Sequence, residues 1–140
     1  MEDIRSVLSS YGSKPTKASK RPHPEPMEKQ ATTSEIPDLF FDDILIKYKL
    51  TRVEILILMY LYRLTWCRPN LHKKYGIAPM VSHKDVAENL EISIEVLLQN
   101  LRRLESFQFI ETIRSGQYFV RKYFTRENDE LYGQTYDNFI

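Results

Sequence analysis

Residues Val81–Thr125 read VSHKDVAENLEISIEVLLQNLRRLESFQFIETIRSGQYFVRKYFT, and the patterns in this stretch decide the fold. Ser82 followed by Asp85 has the spacing of a capping box, and Val86, Ala87 and Leu90 supply the apolar face of a helix from His83 to about Asn89. Glu91 and Ile92 make a turn. Ser93 then caps a second helix, whose stripe Ile94, Leu97, Leu98, Leu101 and Leu104 faces a core while Glu95, Gln99, Arg102, Arg103 and Ser106 face outward. Phe109–Arg114 and Gln117–Thr125 are rich in β-branched and aromatic residues and are joined by Ser115-Gly116, the two-residue turn of a hairpin. Arg114 and Gln117 flank its tip. The expected class is therefore mainly α with a small β-hairpin (α+β).

Working outward, ordered structure is predicted from Ile36-Pro37. Proline suits the first turn of a helix, and Asp38, Asp42 and Asp43 place negative charge near its positive end. Leu39, Phe40, Ile44, Leu45 and Tyr48 give it a packing face, and the helix should end near Lys49-Leu50. Thr51 with Glu54 is a second capping box. The helix it opens, Thr51 to about Trp66, is apolar almost all round and must be covered on more than one side. It is expected to be central, with the preceding helix or a second subunit on its far side. Cys67–Pro79 reads as a basic loop, and Met80-Val81 as a short strand.

Three segments follow: a tail over 1–35, a folded domain over 36–125 and a C-terminal extension over 126–140. The tail holds four of the seven prolines and few large apolar side chains, so it is read as disordered. Within it Ile4, Val7, Leu8 and Tyr11 fall on one helical face, either a short partner-binding motif or a chance pattern. Lys14, Lys17, Lys20 and Arg21 add loose positive charge, suited to phosphate contact or simple solvation. The extension, acidic with Leu131, Tyr132, Tyr136 and Phe139 interspersed, folds back, joins a dimer interface or frays.

The composition narrows the functional classes. A formal charge of +1 does not advertise a polyanion ligand for the chain as a whole, so any such footprint is local. Cys67 is the single cysteine, which excludes an intrachain disulfide and suits a reducing compartment. No stretch resembles a secretion signal or spans a bilayer, so a soluble cytoplasmic protein with no membrane partner is expected. His23, His72 and His83 are scattered, Cys67 reads as a packing residue, and four glycines form no phosphate cradle. No catalytic residue, metal or cofactor is expected.

The run LEISIEVLLQNLRRLESFQFIE resembles the helix-turn-recognition helix of winged-helix transcription regulators. Leu90, Ile92, Ser93, Leu97, Leu101, Leu104, Glu105, Phe109, Ile110 and Glu111 fall on that pattern. With the leader IPDLFFDDILIKYKLTRVEILILMYLYR, the arrangement is similar to the winged domains of plasmid and phage replication initiators. The likeness covers about Ile36 to Thr125. It implies a winged helix-turn-helix with one extra N-terminal helix, whose Ser93-capped helix enters the major groove and whose hairpin follows the backbone or minor groove. Departures from the pattern are Ile94, Val96 and Leu98 where Ser, Thr or Arg is usual, Gln99 where Arg or Lys is frequent, and Gln108 where glycine is common.

Two functions stand open on this reading. One is binding of double-stranded DNA, with Glu95, Gln99, Arg102 and Arg103 on the helix front, and Arg114, Gln117, Arg121 and Lys122 from the hairpin, in a regulator or accessory factor of transcription, replication or plasmid transfer (conjugation). The other is a protein-interaction module whose front is Ile94, Glu95 and Val96. A protein partner on the tail and a homodimer through the Pro37–Tyr48 helix or the C-terminal extension complete the expectations.

Overall fold

The computed structural model describes residues 30–138. Residues 30–37 have no regular structure, and the tail stripe Ile4, Val7, Leu8 and Tyr11 lies outside the described part. The first helix, α1, is a π-helical turn over Phe40–Ile44 continued by an α-helical turn over Leu45–Lys47. Phe40 and Ile44 are its buried residues. The second, α2, spans Arg52–Tyr62, and its start bears the predicted capping box: the Glu54 amide donates to the Thr51 hydroxyl while the Thr51 amide donates to the Glu54 carboxylate.

The apolar run continues past Tyr62 as a π turn, Arg63–Cys67, in place of the α-helix expected to Trp66. Thr65 supplies the cause: its hydroxyl donates to the Leu61 carbonyl at 2.7 Å, competing with the backbone for that acceptor. The turn leaves the Trp66 indole N–H 3.1 Å from the Val120 carbonyl.

Helix α3 (His83–Leu90) and helix α4 (Ile94–Ser106) are joined through a turn at Glu91–Ser93. Ser93 caps α4 as expected. Ser82 caps α3 through its hydroxyl alone. The reciprocal bond expected of a capping box is not formed, since the Asp85 carboxylate is one methylene shorter than the glutamate that usually makes it. The core forms where Leu97, Leu101 and Leu104 of α4 meet Ile57, Leu58 and Leu61 of α2, closed by Phe40, Phe109 and Phe124.

Strands β1 (Ile110–Arg114) and β2 (Gln117–Val120) make an antiparallel hairpin. Its register shifts between Thr112 and Arg114, which leaves Ile113 as the bulged, unpaired residue. The strand expected at Met80-Val81 is replaced by an irregular edge. Val120, Ala78 and Val81 donate in turn to Gly76, Tyr118 and Gly116, and Ile77 bridges Phe119. Pro79, with no N–H to donate, interrupts the ladder and leaves Met80 outside it.

β2 stops at Val120, short of the Thr125 expected, because the chain turns through Phe124 at φ +78°. Thr125 then caps a further helix, α5 (Arg126–Leu131). The C-terminal segment folds back: the Tyr136 hydroxyl donates to Asp129 and accepts from the Lys122 amide, and its ring meets Phe119 edge-on. Gly76 makes room, since a Cβ there would lie 2.8 Å from Phe119 and 2.9 Å from Tyr136.

Helices α3 and α4 both end in a Schellman closure. Ile92 and Glu91 donate to Ala87 and Glu88, and Phe109 and Gln108 donate to Leu104 and Glu105. The left-handed residues are Glu91 at φ +59° and Gln108 at φ +68°, where a Cβ is strained. Gln108→Gly and Glu91→Gly should therefore each stabilise by about 0.5–1 kcal/mol net of the entropy glycine adds to the unfolded chain. The sites lie at opposite ends of α4, so the double variant should show the sum in thermal unfolding.

Candidate nucleic-acid interface

The outward face of α4 is set by its inward one. Burial of Leu97, Leu101 and Leu104 leaves positions 95, 99 and 102 on the opposite side of a 3.6-residue helix. Glu95, Gln99 and Arg102 are exposed there, and among the described residues none makes a side-chain hydrogen bond or ion pair. Ile94 is 43% exposed. Val96 is half-buried, and Leu98 packs against the core. The front thus carries one apolar, one acidic, one amide and one guanidinium side chain within three turns.

Arg103 stands apart from Arg102. Its Nε donates to the Glu54 carboxylate at 2.7 Å, and its guanidinium lies over Phe107. Glu54 is only 1% exposed, so Arg103 ties α4 to the cap of α2. Burial, the largest single influence, raises the Glu54 pKa. The Thr51 amide, the Arg103 guanidinium and the Thr51 hydroxyl together outweigh it and hold the carboxyl below its ordinary value. Removing Arg103 would leave a buried carboxylate without its cation, so its loss affects folding before it affects any ligand.

The hairpin residues divide in the same way. Arg114 is exposed near the tip and donates through Nε to the Gln117 side-chain carbonyl at 3.0 Å. Gln117 itself is 2% exposed and lies within the hairpin. Arg121 is paired with Asp129 at 3.0 Å and sits over the Phe119 ring. Lys122 is half-buried against Trp66 and Tyr123. Arg121 and Lys122 follow β2 at the end away from Ser115-Gly116, so the structure does not bring them together with Arg114.

Lys84 takes their place near the tip. It is exposed in the first turn of α3, three residues after Val81, which donates to the Gly116 carbonyl. His83 joins the same corner, its Nε2 2.6 Å from the Tyr118 hydroxyl. The sequence signal for Lys84 was its place at a helix start beside a turn, visible only once the 76–81 segment is known to run along β2.

Other chemistry is sparse. Among the described residues no group of three His, Cys, Asp or Glu side chains is placed to hold a metal ion, and no helix is long and apolar enough to cross a membrane. The Cys67 thiol lies 3.4 Å from the Glu35 carbonyl. An open groove bordered by Glu105, Glu111, Glu127, Arg121 and Arg126 mixes both charge signs and stays wet, which suits no buried small-molecule site. Burial pushes the Tyr62 and Tyr136 phenols well above their ordinary range, and burial likewise raises Tyr118. These three are neutral structural hydroxyls.

The local charge is net negative. From Ser82 to Gly116, Asp85, Glu88, Glu91, Glu95, Glu105 and Glu111 stand against Lys84, Arg102, Arg103 and Arg114. No protein-family model, curated protein or solved structure matches this chain.

Proposed function

We propose that the chain is a winged-helix protein that binds duplex DNA through α4, as a small non-enzymatic regulator or accessory factor of transcription, replication or plasmid transfer in the cytoplasm. Gln99 faces base edges, and Arg102, Arg114 and Lys84 face phosphates. Glu95 repels phosphates and keeps nonspecific affinity low. The tail motif Ile4, Val7, Leu8 and Tyr11 recruits a protein partner.

One observation carries this reading: Gln99 and Arg102 are an exposed neighbouring pair on the outer face of a helix held between a turn and a hairpin, and among the described residues neither makes a side-chain hydrogen bond or ion pair. Arg102→Ala tests it cleanly, because the substitution breaks no side-chain hydrogen bond or ion pair among the described residues, whereas Arg103→Ala would also uncover Glu54. Fluorescence anisotropy with a random-sequence duplex across a salt series should show Arg102→Ala lowering the salt slope by about one. Affinity weaker than ~10⁻⁴ M at low salt for the unaltered chain sinks the proposal.

A second reading, a protein-interaction module of the same architecture, is favoured by the five carboxylates of α3, α4 and the turn between them and by exposed Ile94. The same titration separates the two, since such a module shows no salt-dependent binding to the duplex.

A further inference from the structure

Two exposed patches of opposite charge lie at the end of the molecule away from the hairpin tip. The first is the loop that follows the π turn Arg63–Cys67. Leu71 is 91% exposed, yet the loop presenting it is firmly held. The Asn70 amide donates to the Thr65 and Ile77 carbonyls, its oxygen accepts from the His72 amide, and the Asp137 amide donates to the Lys74 carbonyl. No Asp or Glu occurs from Ile55 to Lys84, so Arg68, Lys73 and Lys74 flank Leu71 along the loop, with Asp137 the one acid the fold-back brings onto it. A leucine kept in water on a preorganised basic loop is suited to docking, because little ordering remains to be done on association.

The second patch is on α1. Phe41 is 51% and Ile46 66% exposed. In an α-helix, positions five apart diverge, but in this π turn the hydrogen bonds reach from i to i+5, as Leu45 to Phe40 shows. Phe41 and Ile46 are thereby drawn toward one side. Asp42 and Asp43 border them, exposed and without an ion-pair partner among the described residues.

The two patches sit on adjoining elements, since the Cys67 thiol at the start of the loop meets the Glu35 carbonyl just ahead of α1. We propose that they are the two halves of one self-complementary interface, and that the occupant of each is a second copy of this chain. In a two-fold dimer the Leu71 loop of one protomer packs on Phe41 and Ile46 of the other, with Arg68, Lys73 and Lys74 opposite Asp42 and Asp43, and the reciprocal contact forms across the axis. Such closure requires both complements near one axis, and the Cys67–Glu35 contact joins the elements that carry them. Gln99 and Arg102 stay uncovered, so the interface stands whether or not α4 binds DNA.

Sedimentation velocity of the full chain tests the pairing. Dimers are expected at about 100 µM protein, weakening with added salt. Leu71→Asp, the pair Asp42→Lys with Asp43→Lys, and the pair Lys73→Asp with Lys74→Asp should each raise the dimer Kd at least about tenfold. All of these side chains are exposed, and circular dichroism should show every variant folded. Mixing the two charge-reversed chains should restore a dimer that neither forms alone. An unaltered chain that remains monomeric overturns the proposal, as does a dimer indifferent to both reversals. Loss of duplex binding in a Lys73→Asp, Lys74→Asp chain that still dimerises would overturn the proposal and assign the loop to nucleic acid.

Discussion

Asp129→Ala is expected to destabilise the domain by about 3–5 kcal/mol, because it removes the acceptor for three donors at once and leaves a cation unpaired. Asp129 is 2% exposed. One carboxylate oxygen accepts from Arg121 at 3.0 Å and from the Tyr136 hydroxyl at 2.7 Å, and the other from the Tyr123 amide at 3.0 Å. The Arg121 side chain is itself only 16% exposed, so its orphaned guanidinium cannot turn fully to water. Domains of this size are stable by about 5–15 kcal/mol, and each kcal/mol is worth about 4–8 °C in Tm. Thermal unfolding should therefore show a loss well beyond 10 °C, or no cooperative transition at all. Asp129→Asn, which keeps an acceptor for the Tyr123 amide but not the charge facing Arg121, should fall between. An alanine variant melting with the unaltered chain would show that the network is dispensable.

Gly116→Ala is the second large effect, about 3 kcal/mol or more. Gly116 has φ +83°, and a Cβ there would lie 2.5 Å from the Val81 carbonyl oxygen. The left-handed conformation costs a residue with a Cβ about 1–2 kcal/mol. The overlap adds a similar amount, because the colliding atom is backbone and cannot rotate away. The clash falls where Val81 donates to the Gly116 carbonyl at 2.8 Å, so relief by movement sacrifices that bond and displaces the start of α3. Ser115→Ala, one position earlier and exposed, provides the control and should stay within about 0.5 kcal/mol. Equal Tm values for the two variants would refute the steric argument.

Local chemistry was readable from the residues alone. The Thr51–Glu54 box acts across three positions, the stripe Leu97, Leu101, Leu104 follows one helical period, and Ser115-Gly116 is a turn by composition. Even the departure at Gln108, where glycine is common in winged-helix sequences, marks a position whose backbone is left-handed. What escaped depends on partners far along the chain. Arg103 and Glu54 are 49 residues apart, and nothing in either neighbourhood announces that the arginine is committed. The π turns depend on tertiary fit and on the Thr65 hydroxyl. Met80-Val81 has strand composition, but the edge that β2 accepts begins at Gly76, where the missing Cβ makes room for Phe119 and Tyr136. Gln117, expected to flank the tip at the surface, is drawn inside after the bulge at Ile113 shifts the pairing. Of the eight side chains expected on the DNA, four are exposed without a structural commitment or, for Arg114, with one through Nε alone: Glu95, Gln99, Arg102 and Arg114.

The fold-back of the C-terminal segment changes what counts as a unit. Thr125 closes the run of residues that resembles a winged helix, yet the groups that complete it come later: Asp129 for Arg121, and Tyr136 for Phe119 and the Lys122 amide. Residues 81–125 are consequently not a portable cassette. A recombination event that exchanged α4 together with the hairpin, and stopped at Thr125, would import an arginine without its carboxylate and an aromatic without its cover. The front of α4 is therefore open to point substitution, while wholesale replacement requires the chain to be inherited through Tyr136.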